Sequence, residues 1–497
     1  MPRYRGRRHP ADAAGKKKKA PDDDCPASEA SPRSVTDGAQ VGGAASSRSE
    51  PPPPGLRRKG SGKGGVKLQR SRSWLLKAGG VAMLPCEEDL AELLEEYQAC
   101  RQAGDQAGCD AAQIKLLTAH PFVQRQTQEV PAAALASGVS CRVENFKMNV
   151  RRFQQWLRTP QGRPFEERGK GWDDGCYLTS SVFRTFMPRG FTVFNFTSAA
   201  SSETSIVILR GFLKFTGLTA TDEDEESGAT NEVDAFMFNG FSRSDASRFA
   251  VTTKSNGENG KYMVRSVFGD WYFFGGSKNT GKAWLLGADV STLYPIPADT
   301  EDFADIPAKI VKQINDIATS FMEVDDAKAF RQEVDARRLT LMVESNDPDH
   351  EHIFPIERLH LEHVAILDSH GYPLPQRDAY AFFAKYRLES VAYTIHDSME
   401  QLESAMHEIR SGTENEGAVI YLERDDGAAV GLVKVKSDHY VKARRTREIV
   451  RATLVARVSH GQAVEEALAA TRKRLRSGMK DLKHVAGCNE QHDAWAE

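Results

Sequence analysis

The residues around Lys254 combine a lysine amine with a glycine-rich turn. Lys254 follows the β-rich run 249–253 and precedes Gly257 and Gly260. Glycine has no Cβ, so a phosphate group can approach the backbone closely at such a turn. A lysine placed there can act as a nucleophile once its amine is neutral. A lysine before a hairpin turn is also a common solvent-exposed feature, so the pattern needs support from the rest of the chain.

Two further lysines and two glutamates supply that support. Lys434 and Lys436 alternate with valines, and residues two apart in a strand project to the same face. Two ammonium groups on one face favour an anion, although an ordinary sheet with one solvated face shows the same pattern. Glu416 precedes an apolar run, and Glu344 ends another. We predict that these side chains converge with Lys254 in one site.

The expected chemistry requires a change in the pKa of Lys254. An ordinary lysine amine has a pKa of about 10.4 and is protonated at neutral pH. We predict that Lys434 and Lys436 lower the pKa of Lys254 toward about 7 to 8, because they disfavour a third positive charge. The same two cations would stabilise negative charge on a phosphate that the amine attacks.

The hydrophobic pattern predicts the elements that position these residues. Helical spacing predicts a helical hairpin over 87–118 and a helix over 146–157. Short β-rich runs then alternate with helices, which indicates an α+β fold with antiparallel sheets and flanking helices. The predicted strands are 191–196, 206–209, 249–253, 271–274, 339–343, 364–367, 418–421 and 431–435, and the predicted helices are 305–322, 326–335, 377–386 and 398–410.

Composition predicts four regions along the chain. Residues 1–82 are rich in Pro, Gly, Ser, Lys and Arg, and are predicted to be a disordered basic tail. A helical N-terminal region over 83–180 and a catalytic domain over 181–455 follow. A C-terminal helix and tail occupy 456–497. Residues 1–80 carry eighteen Lys/Arg and seven Asp/Glu, so the body of the chain is acidic and any nucleic-acid surface on it must be a local patch.

Other composition features exclude some classes of protein. No run of eighteen apolar residues and no signal-peptide pattern occur, so we expect no membrane interaction. The seven scattered cysteines lack any Cys-x-x-Cys pair, which favours reduced thiols in an intracellular compartment, the cytoplasm or the nucleus.

Two clusters of histidine or acidic residues are not interpreted as metal sites. The histidines at 350, 352, 360, 363 and 370 are dense, yet no cysteine lies nearby and His-x-x-His on a strand places two metal ligands poorly. The acidic run 222–226 is interpreted as a solvated loop.

In this order, Lys254, Glu344, Glu416 and Lys434-Val-Lys436 resemble the motifs of covalent nucleotidyltransferases. The flanking sequence resembles more specifically the RNA ligases of the bacteriophage RNA-ligase-1 type and the ligase domain of fungal tRNA ligases. Leu209-Arg210-Gly resembles the Arg-Gly motif of that family, and Ser277-Lys278 resembles its Ser-Lys motif. The resemblance covers about 190–450, roughly half of the chain.

The resemblance implies a nucleotidyltransferase fold (ATP-grasp-like ligase core) and an ATP-dependent RNA ligase that requires Mg²⁺. It implies that Lys254 carries AMP, that Glu416 coordinates Mg²⁺ and that Glu344 accepts from the ribose hydroxyls. Arg210 and Lys278 would contact the phosphates of ATP, beside Lys434 and Lys436. Where the phage-type ligases have Lys-Phe-Phe-Asn, this chain has Phe236-Met-Phe-Asn239, which removes one expected contact with the triphosphate.

The partners implied are RNA 5′-phosphate and 3′-hydroxyl ends, as in RNA repair or tRNA splicing, with the chain acting as a monomer. No module that would prepare such ends is apparent, which implies separate end-healing enzymes. Capping guanylyltransferases and DNA ligases share the lysine chemistry, but they carry a barrel after Lys-x-Lys for which this chain has no room. A catalytically silent RNA-binding protein is the alternative from another class.

Overall fold

The computed structural model describes residues 84–165, 173–219, 222, 233–296, 306–322, 326–349, 352–413 and 415–480. The predicted disordered tail, 1–82, and the tail that follows residue 480 lie outside the described residues. The described residues all belong to one compact unit.

The strands of the described residues form three sheets. The first sheet has the order β1-β2-β3-β4, the second β11-β10-β7-β8-β9 and the third β12-β6-β13-β14-β5. All neighbouring strands are antiparallel except β14 and β5, which pair in parallel over two residues. The strands are β1 (Val123–Glu129), β2 (Val139–Met148), β3 (Thr192–Ser198), β4 (Thr204–Leu209), β5 (Thr216–Gly217), β6 (Arg248–Thr253), β7 (Glu258–Val267), β8 (Asp270–Ser277), β9 (Lys282–Leu285), β10 (Thr340–Asn346), β11 (His360–Leu367), β12 (Tyr393–His396), β13 (Gly417–Glu423) and β14 (Ala429–Lys436).

The helices follow most of the predicted positions. The hairpin predicted over 87–118 and the four later helices are confirmed within a few residues at each end, because their apolar residues repeat at helical spacing. The helices are α1 (Ala91–Gln102), α2 (Gln106–Ala119), α3 (Val150–Leu157), α4 (Asp173–Thr179), α5 (Ser181–Phe186), α6 (Val290–Leu293), α7 (Ile306–Met322), α8 (Asp326–Ala336), α9 (Gln376–Lys385), α10 (Met399–Ser411), α11 (Asp438–Val450), α12 (Ala456–Ser459) and α13 (Val464–Lys480). The π-helical segment Arg451–Val455 joins α11 to α12. No described helix has both the length and the apolar content needed to cross a membrane.

The region 83–180 departs from its predicted helical character. It contains β1 and β2, and the predicted helix over 146–157 begins only at Val150 because Phe146 and its neighbours end β2. Strand β2 pairs with β3, so the predicted boundary near 180 divides one sheet. The polar pattern of β1, which is exposed along almost its whole length, hides this strand from a search for apolar runs.

Large aromatic side chains join the first two sheets in one core. The rings of Phe194 and Phe274 lie 4.8 Å apart, and those of Phe196 and Tyr272 lie 5.1 Å apart. Edge-on contacts of this kind add to the stabilisation that burial of the rings provides. On the third sheet, Val433 and Val435 face a separate apolar cluster that includes Leu402 of α10. Both sheets that flank Lys254 are therefore held by packing on their far faces.

Asp222 shows that the acidic run 222–226 is not wholly solvated. Its carboxylate is fully buried and accepts from both terminal nitrogens of Arg410, at 3.1 and 2.9 Å. It also accepts from the backbone N–H of Lys436 at 2.8 Å and from the hydroxyl of Thr219 at 2.7 Å. The sequence interpretation is therefore corrected at this residue, which ties α10 to the end of β14. The remaining residues of the run lie outside the described part of the chain.

Asp222→Ala should lower the free energy of unfolding by about 3 kcal/mol, because it removes a fully buried carboxylate and leaves the partly exposed Arg410 guanidinium and the backbone N–H of Lys436 without their acceptor. Asp234→Ala is the matched control, since its ion pair with Arg243 has side chains that are 52% and 46% exposed. Such an exposed pair contributes about 1 kcal/mol or less. Urea unfolding of both variants measures the difference, and equal midpoints would contradict the anchoring role of Asp222.

Candidate active site

The turn after Lys254 carries the chain from the third sheet to the second. Lys254 follows β6, and its backbone N–H donates to the carbonyl of Gly417 at 2.9 Å. Gly257 lies so close to β10 that an added Cβ would be 2.6 Å from the carbonyl oxygen of Ser345. The glycine is needed for this close approach of the turn to β10, whereas the sequence analysis expected it to admit a phosphate. The amine of Lys254 consequently lies between two sheets.

Glu416 is placed beside Lys254 by an unusual backbone conformation at the next residue. Gly417 has φ of +140°, and a Cβ there would collide with the carbonyl oxygen of Val435. The carbonyl of Glu416 also accepts from the backbone N–H of Ser437 at 3.0 Å. The carboxylate is buried and lies 2.8 Å from the Lys254 amine. A buried carboxylate is thus paired with the partly exposed amine of Lys254 at the centre of the site.

The structure contradicts the predicted pKa of Lys254. Burial of the amine lowers its pKa, but the negative charges of Glu416 and Glu344 outweigh that effect and raise the pKa above its ordinary value. The nearest charged groups are therefore carboxylates, whereas the prediction considered only the two lysines of β14. In the ligand-free protein Lys254 is held as an ammonium.

Glu344 has a strongly perturbed pKa. Burial raises the pKa of this carboxyl to about 8, and the nearby carboxylates of Glu416 and Glu258 add to the rise. The charge of Lys254 and a hydrogen bond from the Asn259 side chain, at 3.3 Å, oppose it without cancelling it. Glu344 is therefore mostly protonated at neutral pH. A cation placed among these carboxylates would relieve their mutual repulsion.

Lys254 lines a cavity of about 240 Å³ whose wall combines charged and apolar side chains. Five cationic side chains line it: Arg189, Lys214, Lys254, Lys278 and Lys434. Six apolar or aromatic side chains also line it: Phe212, Leu213, Phe215, Val364, Val419 and Tyr421. Cationic groups beside an apolar surface fit a ligand that has both a flat apolar part and several negative charges. Among the predicted residues, Lys254, Lys278, Glu344 and Lys434 are brought together here.

Lys436 projects to the same side of β14 as Lys434 but does not line this cavity. It is buried, and its amine lies 5.7 Å from the centre of the Tyr440 ring. Tyr440 in turn hydrogen-bonds to Glu416, and burial together with that carboxylate raises the pKa of the phenol to about 12. Lys436 is therefore linked to the Lys254–Glu416 pair through Tyr440 and does not line the cavity itself.

Arg210 is not brought to this cavity. Its guanidinium is buried, lies 2.7 Å from a carboxylate oxygen of Asp110 and donates to the side chain of Gln113 at 2.9 Å. It lines a separate cavity of about 130 Å³, together with Arg265 and Arg338. The reason is that the end of β4 packs against α2, so the arginine after β4 is paired with that helix. The predicted contact of Arg210 with phosphates has no support in this geometry.

Arg189, which the sequence analysis did not identify, lines the Lys254 cavity, whereas Arg210 does not. Its backbone N–H donates to the carbonyl of Phe212 at 2.9 Å. The buried amine of Lys261 donates to the carbonyl oxygens of Arg189 and Gly190 from below. Lys214 was also missed, although its position between Leu213 and Phe215 is a weak alternation signal. No sequence signal identifies Lys261, because a lysine within a strand usually points to solvent.

The Phe236–Asn239 segment, which aligns with a triphosphate-binding element in the resemblance, is a packing element here. Phe236, Met237 and Phe238 are buried, and Met237 packs against Gly431 of β14. Glu416 and Glu344 are carboxylates beside Lys254 that could hold a divalent metal, and burial, more than the neighbouring acids, raises the pKa of Glu344.

Comparisons with known proteins find distant similarity only. No protein-family profile matches the chain, and no curated protein matches it. Among solved structures, two titled "Archaeal ATP-dependent RNA ligase", form 1 and form 2, are similar at TM-scores of 0.38 and 0.33 and at 13% identity. The first match covers 78% of this chain and 76% of the other, and the second covers 70% and 80%. At these values the comparison carries no conclusion about activity, which is inferred from the cavity.

Glu344→Gln should weaken the pH dependence of stability in the metal-free protein. The folded chain keeps the Glu344 proton up to a pKa of about 8, whereas the unfolded chain loses it near the ordinary value of 4.5. Wild-type stability therefore falls as pH rises through this interval, and the variant lacks that contribution. Calorimetric Tm values between about pH 5 and pH 8 measure the slope.

Glu333→Gln is the matched control, since ion pairs and hydrogen bonds lower the pKa of Glu333. Its contribution is lost only in acid, below the interval tested. A slope for Glu344→Gln equal to that of the wild type would contradict the raised pKa.

Proposed function

We propose that this chain is an ATP-dependent RNA ligase in which Lys254 forms a covalent bond to AMP. One observation carries the proposal. Lys254 lies in a cavity with four other cationic side chains and an apolar wall, and it contacts a buried carboxylate at 2.8 Å. A nucleoside triphosphate has the matching combination of a flat apolar base and several negative charges. The order of the motifs along the sequence, given above, selects RNA ligases among enzymes that use such a lysine.

In the first reaction, the Lys254 amine attacks the α-phosphorus of ATP. A nitrogen–phosphorus bond forms while the bond to the departing pyrophosphate breaks. The ammonium must first release a proton to solvent, because Glu416 at 2.8 Å holds it in the ligand-free protein. Mg²⁺ held by Glu416 would neutralise charge on the triphosphate and weaken the attraction of that carboxylate for the Lys254 proton. The raised pKa in the ligand-free protein then describes a resting state rather than the reactive one.

The remaining groups of the cavity fit binding roles. Lys434 lies beside Lys254 in the cavity lining and would stabilise charge on the α-phosphate. Lys278, Arg189 and Lys214 would bind the other phosphates, which gives the triphosphate three cationic contacts without Arg210. Glu344 would accept from the ribose hydroxyls. The apolar wall that includes Phe215 would pack against the base.

In the later reactions, AMP passes to an RNA 5′-phosphate and a 3′-hydroxyl then displaces it to join the two ends. Helix α11 supports an RNA path because it begins at the site, where Tyr440 contacts Glu416, and continues with a series of basic residues. Positive charge along a helix attracts the phosphate backbone independently of sequence. The physiological role would be the sealing of RNA breaks during repair or tRNA splicing.

Lys254→Ala should abolish covalent attachment of AMP. Purified protein is incubated with α-labelled ATP or GTP and Mg²⁺, and label that survives denaturation is measured. Lys385→Ala is the control, because that lysine is exposed and pairs with Glu333 away from the cavity. It should retain full labelling.

Each outcome of the labelling experiment has a distinct meaning. Label from ATP that is lost only in Lys254→Ala supports the proposal. Label from GTP would replace RNA ligation by capping chemistry, and residual label in Lys254→Ala would exclude this lysine as the nucleophile. Absence of label from both nucleotides would favour a catalytically silent RNA-binding protein.

Arg189→Ala should raise the KM for ATP by about tenfold or more, because it removes a charged hydrogen bond to phosphate. Arg210→Ala should leave that KM within about twofold and should instead reduce stability, since Arg210 is paired with Asp110. Steady-state adenylation kinetics and thermal unfolding of the two variants separate these effects. A raised KM for ATP in Arg210→Ala, with an unchanged KM in Arg189→Ala, would instead assign the phosphate contact to Arg210.

A further inference from the structure

A second cluster of ligating side chains lies on β11, outside the Lys254 cavity. A ring nitrogen of His360 and carboxylate oxygens of Glu362 and Glu389 all lie within 4.8 Å of one another. The density of histidines in this part of the sequence did not reveal the cluster, because its other two ligands are glutamates. Glu389 is separated from β11 in sequence and is brought beside it by the chain that precedes β12.

His360 is oriented as a metal-binding histidine would be. Its Nδ1 lies 2.9 Å from the carbonyl oxygen of Arg358, so Nδ1 carries the proton and donates to that oxygen. Nε2 then accepts from the side-chain nitrogen of Asn346 at 3.3 Å and lies 3.8 Å from a carboxylate oxygen of Glu362, so a metal ion would replace Asn346 as the partner of this lone pair. A hydrogen bond from the non-ligating ring nitrogen to a carbonyl is the usual way in which proteins orient a metal-ligating imidazole.

Glu362 is oriented in the same manner. One carboxylate oxygen, Oε2, accepts from the hydroxyl of Ser255 at 2.6 Å and from the side chain of Asn346 at 2.8 Å. The other oxygen, Oε1, faces His360. Ligating carboxylates are commonly held by hydrogen bonds to the oxygen that does not bind the metal. Two neighbours thus hold Glu362 with one oxygen directed toward the imidazole.

Glu389 can join the other two without a large cost. It pairs with Arg358, and the two side chains are 46% and 62% exposed. An ion pair this exposed contributes about 1 kcal/mol or less, so a divalent cation can displace the guanidinium. The charge of two carboxylates would then be balanced by the metal.

The cluster lies at the edge of a cavity of about 470 Å³, which His360 and Glu389 help to line. Gln313 also lines this cavity and is 7% exposed. Its Oε1 accepts from Ser345 at 2.5 Å, while its Nε2 has no hydrogen-bond partner among the described residues. A buried donor of this kind is normally satisfied by water or by a ligand. The cavity therefore has room and a donor for water molecules that complete a coordination sphere.

We propose that His360, Glu362 and Glu389 bind a divalent transition-metal ion, and that zinc is the favoured ion. One imidazole and two carboxylates, with water in the fourth position, match a tetrahedral zinc site. Mg²⁺ prefers six oxygen ligands and dehydrates reluctantly, so a nitrogen ligand selects against it. The proposed site is spatially distinct from the Lys254 cavity, because the two cavities share no lining residue.

The metal would also act on the turn that carries the nucleophile. Ser255 directly follows Lys254 and donates to Glu362, so a metal that holds Glu362 in place also holds this serine. Loss of the metal would then loosen the Lys254 turn while leaving the charged groups of the cavity intact.

The test is a calorimetric titration of the full-length protein with Zn²⁺ in excess Mg²⁺, followed by Co²⁺ substitution. We expect one tight site, and a visible absorption band of tetrahedral Co²⁺ that includes imidazole ligation. His360→Gln and Glu389→Gln should each weaken Zn²⁺ binding by about tenfold or more and should reduce the Co²⁺ band. Glu389→Gln changes a half-exposed residue, so it provides a variant that folds normally if His360→Gln does not.

Two controls make the result specific. His396→Gln changes a half-buried histidine whose ring hydrogen-bonds to Thr394 away from the cluster, and it should bind Zn²⁺ as the wild type does. Glu416→Gln changes the carboxylate beside Lys254 and should also leave Zn²⁺ binding unchanged. Equal binding by His360→Gln, Glu389→Gln and wild type, or a loss confined to Glu416→Gln, would overturn the proposal. Absence of any tight site in the wild type would overturn it as well.

Discussion

The ion pair between Lys254 and Glu416 is the interaction on which the rest of the site depends. It requires Gly417 in a conformation that no other residue adopts without strain, and it requires the backbone of Lys254 to bond to that same glycine. Because β6 and β13 are paired neighbours, Lys254 and Glu416 are held by the same ladder of hydrogen bonds. The pair therefore lies at the end of two inner strands of the third sheet.

The electrostatics of this pair give the ligand-free protein a resting state. A carboxylate at 2.8 Å keeps the amine protonated, and burial, together with the neighbouring acids, raises the pKa of Glu344 to about 8. Neither group is in the form that a nucleotidyl transfer needs. Binding of a divalent cation beside the carboxylates would oppose both shifts, because positive charge there disfavours the ammonium and favours the ionised form of Glu344. Reactivity would then depend on the bound cation.

The strand ladder also explains which predictions succeeded. The alternation of Lys434 and Lys436 with valines placed both lysines on one side of β14, and most predicted strands and helices lie within a few residues of their expected positions. Strand β1 was not predicted from the sequence, because its side chains are polar and exposed. Only tertiary contacts distinguish Arg189, which lines the cavity, from Arg210, which is paired with Asp110.

The sequence by itself determined the type of chemistry: a lysine at a strand end, a glycine-rich turn, and the order of the later glutamates and lysines. These features are local, because strand alternation and glycine geometry depend only on neighbouring residues. The tertiary structure alone decided that Arg189 and not Arg210 lines the cavity, that carboxylates surround Lys254, and that Glu389 meets His360. Such distances depend on which sheets and loops come together across the chain, and burial then sets the pKa of each group.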